Sequence, residues 1–236
     1  MNWFAIFRRR TEAGPRDLQD RYKHFRELGR SLNVELVKQL PKSAVPECGK
    51  KLGIFKSGTL ILNNDDEIAV LYDYCLYHYR RGGKNVIERH LEQSPPPPES
   101  SEMQLLQAML TAYFSLFRIE AIQPHRGAAV RDLVTEKTLD LLDLGLSETG
   151  MPGMILAGRI ITLPEFTMSS GAMIPVPEPV FQEKIGSVIR TFKSNTRVDA
   201  DRPFTAGREA SFAAQVLRIA LHAGGEDNTF FSDIDH

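Results

Sequence analysis

The chain has 236 residues, 42% of them hydrophobic and 25% charged, with a net charge of −1. That is enough apolar material for a core without a disulfide or metal staple, and it argues against overall disorder. Two cysteines, Cys48 and Cys75, are too few for a secreted disulfide scaffold and suit a reducing compartment, so a cytoplasmic location is expected.

No apolar run reaches the roughly 18 residues of a membrane span. The opening segment carries Arg8, Arg9 and Arg10 after its apolar stretch, the wrong order for a secretion signal. Charge is uneven along the chain. Residues 1–60 hold 13 Lys or Arg against 6 Asp or Glu, residues 61–195 hold 12 against 17, and residues 196–236 hold 4 against 7. A basic end of this kind is either a solvated helix face or the mark of an anionic partner.

In chain order, residues 1–15 are expected to be a flexible amino terminus, and residues 16–94 a helical domain with a short hairpin. Leu18, Tyr22, Phe25, Leu28, Leu32, Leu36, Val37 and Leu40 recur at spacings of three and four, a helical stripe that Pro41 stops and Gly29 kinks or splits. Residues 51–62 give two short apolar runs around Lys56, Ser57 and Gly58, the pattern of a hairpin. Asn64 or Asp65 caps a helix whose inward stripe is Ile68, Leu71, Tyr72, Cys75, Leu76 and Tyr79. A shorter helix over 84–93 turns Val86, Ile87 and Leu91 inward. Ser94 and the four prolines at 95–98 form a stiff linker.

Residues 99–177 are expected to hold a leading helix and then a small β-barrel-like module. The period changes to two at 115–122, which predicts a strand. Residues 130–134 and 138–142 make a hairpin around Thr135, Glu136 and Lys137. Residues 154–163 form a long strand with a bend or bulge at Gly158, and one or two further strands lie within 166–176. Five short strands in so little chain predict a small antiparallel barrel, because closure removes exposed edges. Residues 178–223 return to helical spacing, and 224–236 form an acidic tail. The fold class expected is therefore α+β, a helical amino-terminal part, a central small antiparallel β-barrel-like module and a helical carboxyl-terminal tail.

No catalytic constellation emerges. Lys56 and Ser57 form a Lys-Ser pair, but no Gly precedes the Lys, so the backbone does not wrap phosphates. Cys75 and His78 stand three apart on a helix, with Cys48 and His90 as candidate companions. Cys75 falls on the apolar stripe, where a free thiol behaves as a small hydrophobe, so no metal is expected. Ser169, Ser170 and His125 lack a spacing that joins them. Asp132, Glu136, Asp140 and Asp143 are expected on solvated strand faces. No cofactor motif is found. The strongest candidates are binding residues: Arg118, His125, Arg126, Arg131 and Arg159, basic groups on the β module of the kind small barrels present to a macromolecule.

One resemblance adds to this. Residues 71–91 carry a Tyr-rich helix (Tyr72, Tyr74, Tyr77, Tyr79) followed by Arg81, Gly83, Lys84, Ile87 and Arg89. Residues 113–119 and 130–135 add a Ser-Leu-Phe strand and an Arg-Asp-Leu strand. Over about residues 65–165 the chain resembles a group of uncharacterised bacterial proteins in which such helices precede a small β module. Some members of that group end in a SEC-C-type zinc motif, which is absent here, so neither zinc nor its partner binding carries over. The resemblance implies architecture and lends no activity.

The function expected is a non-enzymatic interaction protein that meets a macromolecular partner, a protein first, through the β module or its helical flank. Two alternatives stay open. One is an enzyme with a site at the helix–barrel junction around Tyr74, His78, Arg118 and His125; the other is an RNA- or single-strand-DNA-binding protein. Membrane contact through Trp3, Phe4 and Phe7 beside Arg8, Arg9 and Arg10 is a lesser alternative.

Overall fold

A computed structural model describes residues 15–62, 64–194 and 204–227. The amino-terminal apolar-basic segment and residues 228–236 of the acidic tail lie outside the described residues.

Helix α1 (Pro15–Lys38) starts with proline, whose missing N–H has no helical partner there in any case. It runs unbroken through Gly29, which lies toward Leu105 instead of kinking the helix. Tyr22, Phe25, Leu32 and Leu36 form its buried stripe. Helix α2 (Ala44–Leu52) is a departure from the expected hairpin over 51–62. Gly53, at φ +79°, ends it in the left-handed conformation and bonds back to the Lys50 carbonyl at 3.2 Å. Only β1 (Phe55–Lys56) and β2 (Thr59–Leu60) remain as the hairpin.

Helix α3 (Asp65–His78) begins at Asn64, whose side chain accepts from the Glu67 N–H. Ile68, expected inward, is exposed. Val70, Leu71, Tyr74, Cys75, Leu76, Tyr77 and His78 are all buried, because α2 and the last helix cover one side of α3 while α1 and the next helix cover the other. Helix α4 (Val86–Gln93) opens on a capping box between Asn85 and Glu88, and α5 (Ser101–Thr111) on Ser100.

The change of period after the prolines marks the sheet. Strands β3 (Tyr113–Gln123), β4 (Gly127–Asp132), β5 (Thr138–Leu142), β6 (Ile155–Thr162) and β7 (Thr167–Ser169) close into a five-stranded barrel in the order β3, β4, β5, β7, β6 and back to β3. Strand β8 (Ile174–Val176) shares an edge of β6 with β7. All pairings are antiparallel except one: β5 meets β7 in parallel through Leu141 and Thr167. A short helix, α6 (Leu144–Thr149), capped by Asp143, links β5 to β6.

The alternation sorts side chains cleanly. Phe117, Ile119, Ala128, Val130, Leu141, Leu156 and Ile160 form a core of their own in the barrel. Phe114, Leu116, Ile155 and Ala157, on the other face of β3 and β6, pack with residues of the helices. Strand β6 is thus buried on both faces. Gly158 sits in regular register with Ser115 and makes no bulge. Its lack of a side chain answers a close approach, since a Cβ there would lie 2.6 Å from Met173 Cγ and 3.0 Å from Met173 Cα.

Asp132, expected on a solvated face, is wholly buried at one end of the barrel. It accepts hydrogen bonds from the Ser115 hydroxyl (2.6 Å), the Tyr113 hydroxyl (3.1 Å) and the backbone N–H groups of Val134 and Thr135. Beyond β8 the expected helical stretch runs as α7 (Glu178–Val180), a π-helical turn (Phe181–Ile185) and α8 (Gly186–Ser194), followed by α9 (Ala206–Asp227). Among the described residues, no helix is long and apolar enough to cross a membrane.

Candidate functional site

Three features at the helix–barrel contact carry concentrated polar chemistry: a buried ionic cluster, a groove above it, and a basic groove on the barrel's flank. The cluster centres on Arg159. Its alternation on β6 sends the side chain outward, under α3 and α9, where it is 1% exposed. Its Nη1 donates to Glu209 Oε1 at 2.7 Å, its Nη2 donates to His78 Nε2 at 2.7 Å, and its Nε lies 3.3 Å from Asp73 Oδ2. The guanidinium stands over the Tyr77 ring at 3.9 Å. Arginine only donates, so His78 Nε2 is the acceptor in this contact, and the same Nε2 lies 3.8 Å from Glu209 Oε1. Burial works against the Arg159 charge, and the carboxylates of Glu209 and Asp73 outweigh it. Burial also pushes the Asp73 carboxyl above its ordinary value, against the pull of Arg159.

Above this cluster lies a groove of about 490 Å³ between α1 and α3. The α1 wall presents Arg30, Asn33, Val34, Val37 and Lys38, one helical face; the α3 wall presents Ala69, Tyr72, Asp73 and Leu76. The segment Ser170, Gly171, Ala172 closes one side. A recess of about 50 Å³ runs on beneath α1 and shares Arg30, Asn33 and Ser170 with the groove.

The second groove, about 730 Å³, lies where the π-helical turn and α8 cross the outer face of β3 and β4. Arg118 and Arg131 are directly paired across the two strands. Arg190 and Lys193 face them from α8, and Leu133, Phe181 and Ile189 supply apolar surface between. Arg118 grips both carboxylate oxygens of Glu178 at 3.1 Å and lies 5.7 Å from the Phe181 ring centre. Hydrogen bonds from Gln182 and then Arg118 hold the Glu178 carboxyl below its ordinary value. Lys193 pairs with Glu136 at 2.6 Å. The π-turn spaces Phe181 and Gln182 over the groove, and such turns recur at functional sites.

Of the residues singled out from sequence, Arg118 and Arg131 come together in this groove. His125 and Arg126 do not join them. They form the β3–β4 turn, with His125 at φ +60°, its carbonyl accepting from Gln19, and Arg126 lies about 16 Å along β4 from Arg131 at ordinary strand rise. Arg159 is no part of any solvent-facing surface, for the burial and pairing already given. Tyr74 and His78 touch, ring centres 4.8 Å apart, whereas Arg118 bonds Glu178 and the His125 carbonyl accepts from Gln19. Cys75 and Cys48 are free and buried; the Cys75 thiol donates to the Ala44 carbonyl at 3.8 Å. Among the described residues, no group of three or more His, Cys, Asp or Glu is placed to hold a metal ion. Arg190, Lys193, Asn33 and Tyr77 were missed. The first two sit on a solvated helix with no pattern of their own, and only the fold sets them opposite the β3–β4 arginines.

In comparison with known proteins, residues 16–196 match the model of a family of unknown function, DUF7986. No curated protein and no solved structure matches.

Proposed function

Because the chain belongs to DUF7986, whose function is unknown, we propose from its own geometry that it is a non-enzymatic interaction protein. It uses the groove between β3, β4 and α8 to hold an acidic, partly apolar segment of a protein partner. The observation that carries the reading is the convergence of Arg118, Arg131, Arg190 and Lys193 from three elements onto one groove. Within the described residues, Arg131 and Arg190 form no ion pair of their own, so both charges are available to a carboxylate. Leu133, Phe181 and Ile189 offer the apolar anchor surface that polypeptide recognition needs.

Nucleic acid fits less well. Leu133, Phe181 and Ile189 suit the apolar side chains of a polypeptide, whereas a phosphate backbone needs a denser row of cations than Glu120, Glu136 and Glu178 leave here. A bacterial cytoplasmic setting agrees with the two free, buried cysteines.

The test is a titration of the full chain with a labelled peptide alternating Asp or Glu with Leu and Phe, beside a polyuridine oligonucleotide of equal net charge. The peptide is expected to bind, and the double charge reversal Arg131→Glu with Arg190→Glu to weaken it at least about tenfold. Tighter binding of the oligonucleotide, or peptide binding indifferent to the reversal, would overturn the proposal.

A further inference from the structure

A different surface carries a second kind of binding. We propose that the groove between α1 and α3 binds an aliphatic monocarboxylate, with its hydrocarbon chain along the groove and its carboxylate in the recess beneath α1.

The argument begins with Tyr77. Its residue is 6% exposed and lines the recess, and its hydroxyl has no hydrogen-bond partner among the described residues. The Oδ1 of Asn33, another residue that lines the recess, is also buried and without one. Leaving a buried polar group unpaired costs roughly 1–3 kcal/mol, so two such atoms facing one small space are an uncommon arrangement. A water molecule would satisfy them; what points to a ligand is the rest of the site.

Two guanidinium groups border the recess. Arg26 is fixed there by its bond to the Ser169 carbonyl at 2.9 Å, and Arg30 stands at the mouth with no ion pair among the described residues. The acids nearby are engaged: Asp143 accepts from the Ser169 hydroxyl at 2.8 Å, and Asp73 is turned to Arg159. The recess thus offers a small planar anion two cations and the Tyr77 and Ser170 hydroxyls as donors, and the Asn33 amide meets it with its NH2 turned inward, the chemistry that suits a carboxylate. At about 50 Å³ it admits a head group and no more.

Outward from the recess the lining turns apolar. Val34, Val37, Ala69, Leu76 and Ala172 make an open trough of about 490 Å³. Val34 is 58% exposed, a large apolar side chain left at the rim. A cation-lined end continuing into an aliphatic trough describes an amphipathic acid.

The full chain would be titrated by calorimetry with octanoate, decanoate and dodecanoate below their micellar concentrations. Decanol and decylammonium serve as comparators with the same tail. Decanoate is expected to bind saturably and to raise the melting temperature, with both comparators weaker by at least about tenfold. Tyr77→Phe, which deletes only the unpaired hydroxyl, and Arg30→Gln are each expected to weaken decanoate roughly ten- to hundredfold while the free protein melts nearly unchanged. The Arg131→Glu, Arg190→Glu variant should bind decanoate normally, which separates this site from the basic groove. Absence of saturable binding, equal binding of decylammonium, or indifference to both Tyr77→Phe and Arg30→Gln would overturn the inference.

Discussion

At the scale of single residues, the charge balance under α3 sets the terms. One guanidinium, Arg159, serves two carboxylates, Glu209 at 2.7 Å and Asp73 at 3.3 Å, and His78 contributes no charge when its Nε2 accepts. With both acids ionised the cluster is one negative charge in excess. Glu209 holds the shorter contact and also accepts from the Phe114 N–H, so the strain of that excess falls on Asp73. Burial is the main cause that raises the Asp73 carboxyl despite an adjacent arginine, and the Glu209 charge adds a smaller push in the same direction. A carboxyl raised on folding favours the folded state fully below its unfolded value, and that contribution is lost as pH climbs through the raised folded value. Wild-type stability should therefore fall relative to Asp73→Asn as pH rises from 4 toward 8, the variant keeping a neutral oxygen acceptor for Arg159. Melting curves of both proteins across that range check it; a difference that stays flat or runs the other way means Asp73 is comfortably ionised.

At the scale of elements, β6 shows how much the alternation can and cannot say. The run from Ile155 to Ile161 is apolar apart from Gly158 and Arg159, and each exception has a neighbour in space as its cause. Gly158 lets Met173 cross against the strand, so Gly158→Ala should push the segment ahead of β8 away from β6. The expected destabilisation is about 1–3 kcal/mol, read from denaturant midpoints, with β8 amides losing exchange protection first. A neutral substitution would mean that Met173 yields freely.

The strand itself was legible in sequence, as were the helices α1, α3, α4, α5 and α9 and the β4–β5 hairpin of the barrel, because period and caps are local properties. Helix α2 was not: residues 41–50 carry no apolar stripe strong enough to announce it, and the Gly53 cap looked like part of a turn. Arg159 was legible only in half. A lone cation inside an apolar strand signals a buried ion pair, yet its acids lie 86 and 50 residues away in the chain, and only the packing of α3 and α9 on β6 brings them in. Arg118 and Arg131 were each legible as basic residues of the β module, but their pairing was not, because a register shift between Ile119 and Ala121 brings them opposite one another. The trough beside α1 needed three separate segments at once, and no spacing encodes that.

At the scale of the whole molecule, the question is whether the four prolines at 95–98 separate two bodies. A core of 18 buried residues runs from α1, α3, α4 and α5 into the barrel, where Leu142, Ile161 and Met168 belong to the same packed group as Phe25 and Ile87. A second core joins α2, α3 and α9 to the outer faces of β3, β6 and β8. Both cross the prolines, and the Arg159 cluster ties α3, β6 and α9 at the centre. Within the barrel, by contrast, the seam from β5 to β7 rests on one pair, Leu141 with Thr167. The weakest place is therefore inside the sheet, not at the proline segment. Buried surface shared this evenly between elements makes opening one part expose the core of the other, which is the condition for cooperative unfolding. Heating or denaturant should give a single transition, coincident by far-ultraviolet circular dichroism and by the fluorescence of tyrosines, five of which lie in helix α3, its C-cap and the start of β3. Below it, hydrogen exchange should be fastest at Leu141 and residues 167–169. Two separated transitions, one lost on cutting the chain between Pro96 and Pro97, would instead show that the helical and barrel halves stand independently and that the shared cores contribute little.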